Sequence, residues 1–494
     1  MKRIAGLISS LLYVTVHVLL FSILVCDPVG GATGDLIPLF DGKSLDGWTA
    51  VENSDTWKVD DKNGCLVARG PRSHLFYTGS VNGADFKNFE LVVEAQTEPG
   101  ANSGVYFHTE KQPEKWPEKG YEVQINNTYQ GHGAYRELKR TGSLYAVRNV
   151  YKKCVNDGEW FRMTIQVVGW RVCIHVNGIL VVDYIEPADP VRRPEQAGRL
   201  LSHGTIALQA HDPKSAVRFR RVDIRLLPDD PYTTSSARFP DAGYGLKVGD
   251  MDAMGAAYLP FVDYHIHLRG GMTVEKAIAR QAVTGIHSGV LKNIGAGWPI
   301  ETDGQLRIFL NSATGRPVFV GLQVNDRDWH LKHAPELIAR LDYVLGDTMI
   351  MPMPNDDSTP VKLWLPGYTI DDAEAWMERY MRHNLRVLAE PITILANPTY
   401  LPPAVEDRYD ELWTDARMKR IIKAAIANKV ALEINARSGL PKDRFIRMAK
   451  AMGATFSFGS NNFLSDPIDM SRCVEAVNRY GLKKSDMYVP KAKL

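Results

Sequence analysis

The chain has 494 residues, 45% of them hydrophobic, and a formal net charge of +2. That length holds about two or three domains of ordinary globular composition. Balanced charge without a basic or acidic run argues against nucleic acid as a partner and against an acidic tail.

Met1-Lys2-Arg3 is a short basic start, followed by an apolar run from about Leu11 to Cys26 and by small residues up to Gly34. This reads as an export signal over 1–32, cleaved after Ala32, and predicts a periplasmic or extracellular protein. The run is short for a full span, so a retained anchor is the weaker alternative. A lipid anchor at Cys26 is the other alternative, with Val25 making a poor lipidation box; no further membrane contact is expected. The remaining cysteines, Cys65, Cys154, Cys173 and Cys473, lack Cys-x-x-Cys spacing, which disfavours a zinc knuckle. Cys154 and Cys173 are the first pair to test for a disulfide after export.

From about 35 to 228 the pattern is short alternating runs separated by turns, with almost no helical periodicity. Expected strands include Phe89 to Ala95, Gly104 to His108, Tyr121 to Ile125, Gly142 to Val147, Trp160 to Val168, Val172 to Val176, Ile179 to Tyr184, Gly204 to Gln209 and Val217 to Leu226. Asn177-Gly178 between two such runs signals a hairpin. The implied architecture is a two-sheet β-sandwich. In Gly120-Tyr-Glu-Val-Gln-Ile-Asn-Asn127, Glu122, Gln124 and Asn126 share one face, expected to be wet, while Tyr121, Val123 and Ile125 point the other way. Asn102, Gly104, Tyr106 and His108 share a face just upstream. Planar donors and acceptors beside aromatic rings suit a hydroxyl-rich ligand such as a carbohydrate. Other readings stand beside this one. Glu122 can face solvent at a sheet rim, His211 before Asp212-Pro213 can be a turn residue, and Tyr106 and Tyr145 can be packing.

Six motifs follow one another in order. They are Phe40-Asp41-Gly42-Lys43-Ser44-Leu45-x-Gly47-Trp48, Asn102-Ser103-Gly104-Val105, Gly120-Tyr121-Glu122-Val123-Gln124, Thr141-Gly142-Ser143-Leu144-Tyr145, Gly158-Glu159-Trp160 and Gly204-x-Ile206-x-Leu208-Gln209-x-His211. Together they resemble the 3-keto-disaccharide hydrolase family. The resemblance implies a concanavalin-like jelly-roll sandwich and cleavage of glycosides whose glucose carries a ketone at C3. Such a ketone acidifies the C2 proton, so a base, a donor or metal for the enolate oxygen and an acid for the leaving group are required. Glu122 is then the expected base or metal ligand, His211 the acid–base partner and Gln124 the orienting group. Asn102, Tyr106, His108 and Tyr145 are the expected lining residues.

Residues 229–259, rich in Ser, Thr, Gly, Ala and Asp, read as a connector along the surface. From 260 to 494 short apolar runs alternate with helical segments, implying an α/β barrel of seven parallel strands, related to the TIM barrel. His265 and His267, two apart on its first strand, have metal-ligand spacing. With seven strands this half resembles the polymerase-and-histidinol-phosphatase superfamily, which holds metals at strand ends. It departs from that pattern at Gly321-Leu322-Gln323, Asn397-Pro398 and Ser460-Asn461-Asn462-Phe463, where amides or Phe replace ligands. Amides bind hard cations weakly and transition metals poorly. The resemblance therefore leaves room for one divalent metal ion of unknown identity, on His265 and His267 with Glu433, Glu390 or Asp347. The alternative is a barrel that only binds or positions. Three functions remain open: an exported enzyme acting on 3-keto-glycosides, a carbohydrate-binding sandwich joined to a metal-dependent hydrolase, and a non-catalytic recognition protein.

Overall fold

The computed structural model describes residues 34–229, 246–353, 356–462 and 469–491. The export signal, the Cys26 anchor and the first half of the connector lie outside these residues. Alternation builds the first half. Leu75, Val105, Val123 and Leu208 from a five-stranded sheet meet Leu91, Val93, Ile165 and Ile224 from an eight-stranded sheet in one apolar core. Both sheets are antiparallel, and stacked they form the expected β-sandwich. The five-stranded sheet runs, in spatial order, Trp48–Glu52, Ser73–Tyr77, Thr205–Ala210, Asn102–Thr109 and Tyr121–Asn126. Asn177 and Gly178, with φ of 48° and 79°, close the expected hairpin, because both turn residues must be left-handed there.

Gly142 to Val147, expected as a strand, is instead a turn. Gly142 and Ala146 have φ of 89° and 64°, which breaks the pleat and leaves isolated bridges at Leu144. Conversely, Ser73–Tyr77 was not among the expected strands. Every one of its residues is buried, so it carries no period-2 signal.

The second half is a closed barrel of seven parallel strands, as expected: Val262–His267, His287–Ile294, Phe319–Val324, Tyr343–Asp347, Ile394–Ala396, Ala431–Asn435 and Phe456–Gly459. Thr414 caps the helix Asp415–Ala427, as its position in the chain predicts. The helix Asp303–Ser312 was not anticipated, although Thr302 and Gln305 form a capping box at its start. Among the described residues no helix is long and apolar enough to cross a membrane.

Asp35–Leu494 forms one compact unit, with sandwich and barrel packed together. The second half of the connector is no surface strand of coil but a helix, Val248–Ala256, whose Met251 and Met254 join the barrel core. Its Asp252, fully buried, takes Arg148 Nη1 at 2.7 Å and Arg192 Nη1 at 2.9 Å from the sandwich. Two guanidinium groups and the Tyr184 hydroxyl satisfy that carboxylate, as a buried charge requires. The barrel helix Val274–Thr284 covers the edge strand Ile179–Ile185, removing an open edge from the larger sheet. The proposed Cys154–Cys173 pair does not form. Cys154 is free, whereas Cys173 is disulfide-bonded. Sequence spacing cannot rank disulfide connectivities, which is why that pairing failed.

Candidate active site

The register of Asn102–Thr109 on Tyr121–Asn126 places Tyr106 opposite Glu122, Gly104 opposite Gln124 and Asn102 opposite Asn126. The expected row of polar groups is therefore real, but its face is not wet. Every residue of Tyr121–Asn126 is buried, and Glu122 is 6% exposed. Two loop side chains lie against this face, Arg199 over the Tyr106 ring and Trp116 against His74 and His211.

Glu122 Oε1 accepts from Gln209 Nε2 at 3.0 Å, and the same amide reaches the Tyr106 hydroxyl at 2.9 Å. Arg199 Nη2 stands 3.5 Å from Glu122 Oε2, and its guanidinium lies 5.2 Å from the Tyr106 ring centroid. Burial raises the affinity of Glu122 for a proton, and Arg199, Tyr106, Gln209 and His211 only partly offset it. A carboxyl so placed keeps its proton to higher pH than an ordinary carboxylate, the property that a general base near neutral pH requires. Gly104 makes the room: a Cβ there would meet Glu122 Oε1 at 2.6 Å and Cγ at 3.0 Å. Gly104→Ala is thus expected to displace the carboxylate and lower turnover by about a hundredfold, with circular dichroism unchanged. Wild-type rates in that variant would show that the position of Glu122 does not matter.

His211 follows the strand Thr205–Ala210, half-buried, and its Nδ1 lies 2.7 Å from Asp212 Oδ2. Asp212 is in turn held by Ser215 Oγ and Lys214 N. A histidine oriented by a carboxylate through Nδ1 leaves Nε2 for proton transfer. Its ring contacts Trp116 at 5.2 Å and Tyr129 at 5.5 Å. Gln124 Nε2 donates to Asn102 Oδ1 at 2.6 Å, fixing that pair beside Glu122. Gln124 Oε1, Gln209 Oε1 and Arg199 Nη1 are buried with no hydrogen-bond partner. Buried polar atoms normally have partners, so these mark where a polar ligand or water belongs.

Two expected lining residues are placed otherwise. His108 has φ of 55°, which turns its ring away from the row and against Phe89 and Phe107. Its Nε2 bonds the Lys87 carbonyl, its Nδ1 accepts from Ser202 N, and burial lowers its pKa to about 4. It is a neutral structural residue. Tyr145 donates its backbone N–H to the Glu122 carbonyl, but its ring faces the Lys139 ammonium at 4.4 Å and Tyr258 at 6.2 Å. Lys139, buried and paired with Glu137 at 2.8 Å, is boxed by Tyr135, Tyr145 and Tyr258.

Residues that sequence reasoning missed complete the cluster. Arg199 lies in a loop without periodicity, so no signal pointed to it. His74 lies on the all-buried strand; burial lowers its pKa to about 3, and it meets Tyr106 edge-on. Trp116, 38% exposed, spans His74 and His211. An aromatic between Pro113 and Pro117, outside any strand, has no core to fill, and that signal was readable.

In the barrel, His265, His267 and Glu433 do come together at the carboxyl ends of the strands, all buried. Glu433 Oε1 bonds His265 Nδ1 at 2.6 Å, and Oε2 accepts from Asn397 N and Asn435 Nδ2. Burial opposes charge on His265, but Glu433 outweighs it and raises the pKa, whereas burial and His265 push His267 well down. Glu390 pairs with Arg327 at 3.2 Å, and Asp347 accepts from Gln323 Nε2 at 2.6 Å. Glu433 satisfies His265 Nδ1 only, whereas His265 Nε2 and His267 Nδ1 are buried with no hydrogen-bond partner. Among the described residues no three His, Cys, Asp or Glu side chains converge to hold a metal ion.

Residues 35–225 match the family model of the 3-keto-alpha-glucoside-1,2-lyase-like domain. The matched span contains Glu122, Arg199, Gln209 and His211, and it sets the sandwich among carbohydrate-active domains. Similar solved structures include two candidate glycosyl hydrolases from Parabacteroides distasonis. One is 24% identical, covering 38% of this chain and 93% of its own, with a TM-score of 0.33. The other is 26% identical, covering 39% and 100%, with a TM-score of 0.31. The CBM66 carbohydrate-binding module of Bacillus subtilis is 16% identical, covering 36% and 95%, with a TM-score of 0.25. No curated protein matches the chain.

Proposed function

We propose that the sandwich cleaves 3-keto-glycosides by elimination across C1 and C2 of the oxidised sugar. The observation that carries this reading is the Glu122 carboxyl, buried and raised in proton affinity beside an unpartnered Arg199 Nη1, within the residues matching a 3-keto-glucoside lyase model.

Glu122 removes the C2 proton, and the electrons of that C–H bond move into C2–C3, placing charge on the C3 oxygen. Arg199 Nη1, buried without a partner, is the donor available to that oxygen, while the Tyr106 hydroxyl is held by Glu122. Arg199 is fixed before reaction, so it stabilises developing charge without reorganising. The enolate electrons then form the C1–C2 double bond and expel the C1 oxygen. His211, oriented by Asp212, gives the departing alcohol its proton. The products are an unsaturated 3-keto sugar and the free alcohol; water adding across the new double bond gives net hydrolysis. Trp116 offers an exposed face for the C–H side of a sugar ring.

The test is incubation with a 3-keto-glucoside, following both products by mass spectrometry. Release of the alcohol with a sugar product one water lighter than 3-keto-glucose identifies elimination, and the full mass identifies net hydrolysis. Unchanged substrate alongside bound ligand would leave the sandwich a binding module and overturn the proposal.

A further inference from the structure

Charge on this protein is nearly balanced overall, yet it is unevenly placed. A half-open cavity of about 920 Å³ lies between sandwich and barrel, lined by Arg136, Arg140, Lys152, Lys153, Arg340 and Lys491 and by a single carboxylate, Asp342. Its sandwich wall is the segment from Asn127 to Asn156. Its barrel wall is the amino-terminal side, with Leu310, Gly315 and Phe319 ahead of or at strand starts. It is thus separate from the barrel's strand ends that carry His265 and Glu433, and Glu122 is not among its lining residues.

Asp342 cannot neutralise the set. Its Oδ1 takes Lys152 Nζ at 2.5 Å and its Oδ2 accepts from Val320 N at 2.8 Å. Arg140 is fixed as a wall by Asn126 Oδ1 and the Tyr129 carbonyl, with Glu137 and Asp157 acting on it electrostatically. Arg340 bonds Asn311 Oδ1 at 2.8 Å, a neutral acceptor. Among the described residues no carboxylate pairs with Arg136, Lys153 or Lys491. Cations gathered around one cavity repel each other unless an anion joins them. Ligand sites favour domain junctions, and the volume is that of a small-molecule pocket. Tyr151, Val155, Leu310 and Phe319 add apolar and aromatic surface beside the charges.

We propose that this cleft is a binding site for a small oxyanion-bearing ligand, a phosphate or sulfate ester or the free anion, held by the lysines and arginines of both domains. Neutral sugars, the class assigned to the sandwich face, are not its ligands, and this site stands whether or not the sandwich is catalytic.

Titration calorimetry of the full chain at low salt with inorganic pyrophosphate, glucose 6-phosphate and glucose tests it. Saturable one-to-one binding of either anion, and none of glucose, is expected. Glucose 6-phosphate binding more tightly than pyrophosphate supports an ester, and the reverse supports the free anion. The double variant Lys153→Glu with Lys491→Glu should weaken binding about tenfold or more, because each change removes a charge-assisted contact and adds a repulsion. Lys62→Glu, on a turn remote in sequence from every lining residue, should leave it unchanged. The proposal is overturned if neither anion saturates at millimolar concentration, or if the double variant binds as the wild type does.

Discussion

Glu122→Gln is expected to lower kcat for a 3-keto-glucoside by about a hundred- to ten-thousand-fold, the range for removing a general base, while KM stays within a few-fold. The amide keeps the shape of the side chain and can still accept from Gln209, so the sugar should still dock. It cannot take the C2 proton. The wild-type pH dependence gives a second, independent reading. Burial raises the Glu122 pKa, and the base must be ionised to work. The rate should therefore fall as pH drops, with an acidic limb above the ordinary glutamate value of 4.5. Arg199→Met removes the leading opponent of that upward shift, so the limb should move to higher pH and kcat should fall as well. A full-rate Glu122→Gln enzyme would sink the mechanism, whatever the ligand. If the Arg199→Met limb stayed in place, Arg199 would matter for charge on the substrate rather than for the base.

Period-2 alternation made the Glu122, Gln124 and Asn126 row legible, and strand–helix alternation made all seven barrel strands legible. Both signals are local, and both survive because each element packs one regular face. What failed was non-local. Arg199 reaches Glu122 from 77 positions away in the chain, through a loop with no repeat. His108 obeys the alternation in sequence but not in space, because its left-handed φ rotates the side chain off the face. Asp252 looked like connector composition, yet two arginines far upstream make it the centre of the domain junction. The expected wet face is dry for the same reason: the side chains that lie against it come from loops, and periodicity carries no information about loop paths.

Glu433→Ala is expected to cost the barrel about 3–5 kcal/mol, read as a lower urea midpoint, because it breaks a buried ion pair by removing one partner. The loss exceeds one contact. His265 Nδ1, Asn397 N and Asn435 Nδ2 all lose their acceptor, and each lies in a dry interior. The chain is also shaped for this carboxylate. A Cβ on Gly459 would stand 1.9 Å from Glu433 Oε1, so the neighbouring strand carries glycine where any side chain would evict it. Glu433→Gln retains the volume and one acceptor oxygen, and should cost less, about 1–3 kcal/mol. An alanine variant within about 1 kcal/mol of wild type would mean that water replaces the carboxylate, and that the strand ends are open enough to admit a ligand. The ordering Ala worse than Gln, with both well below wild type, would mean that the histidine and carboxylate act first as each other's partners. That ordering is the one the closed geometry of His265, Glu433 and Gly459 leads us to expect.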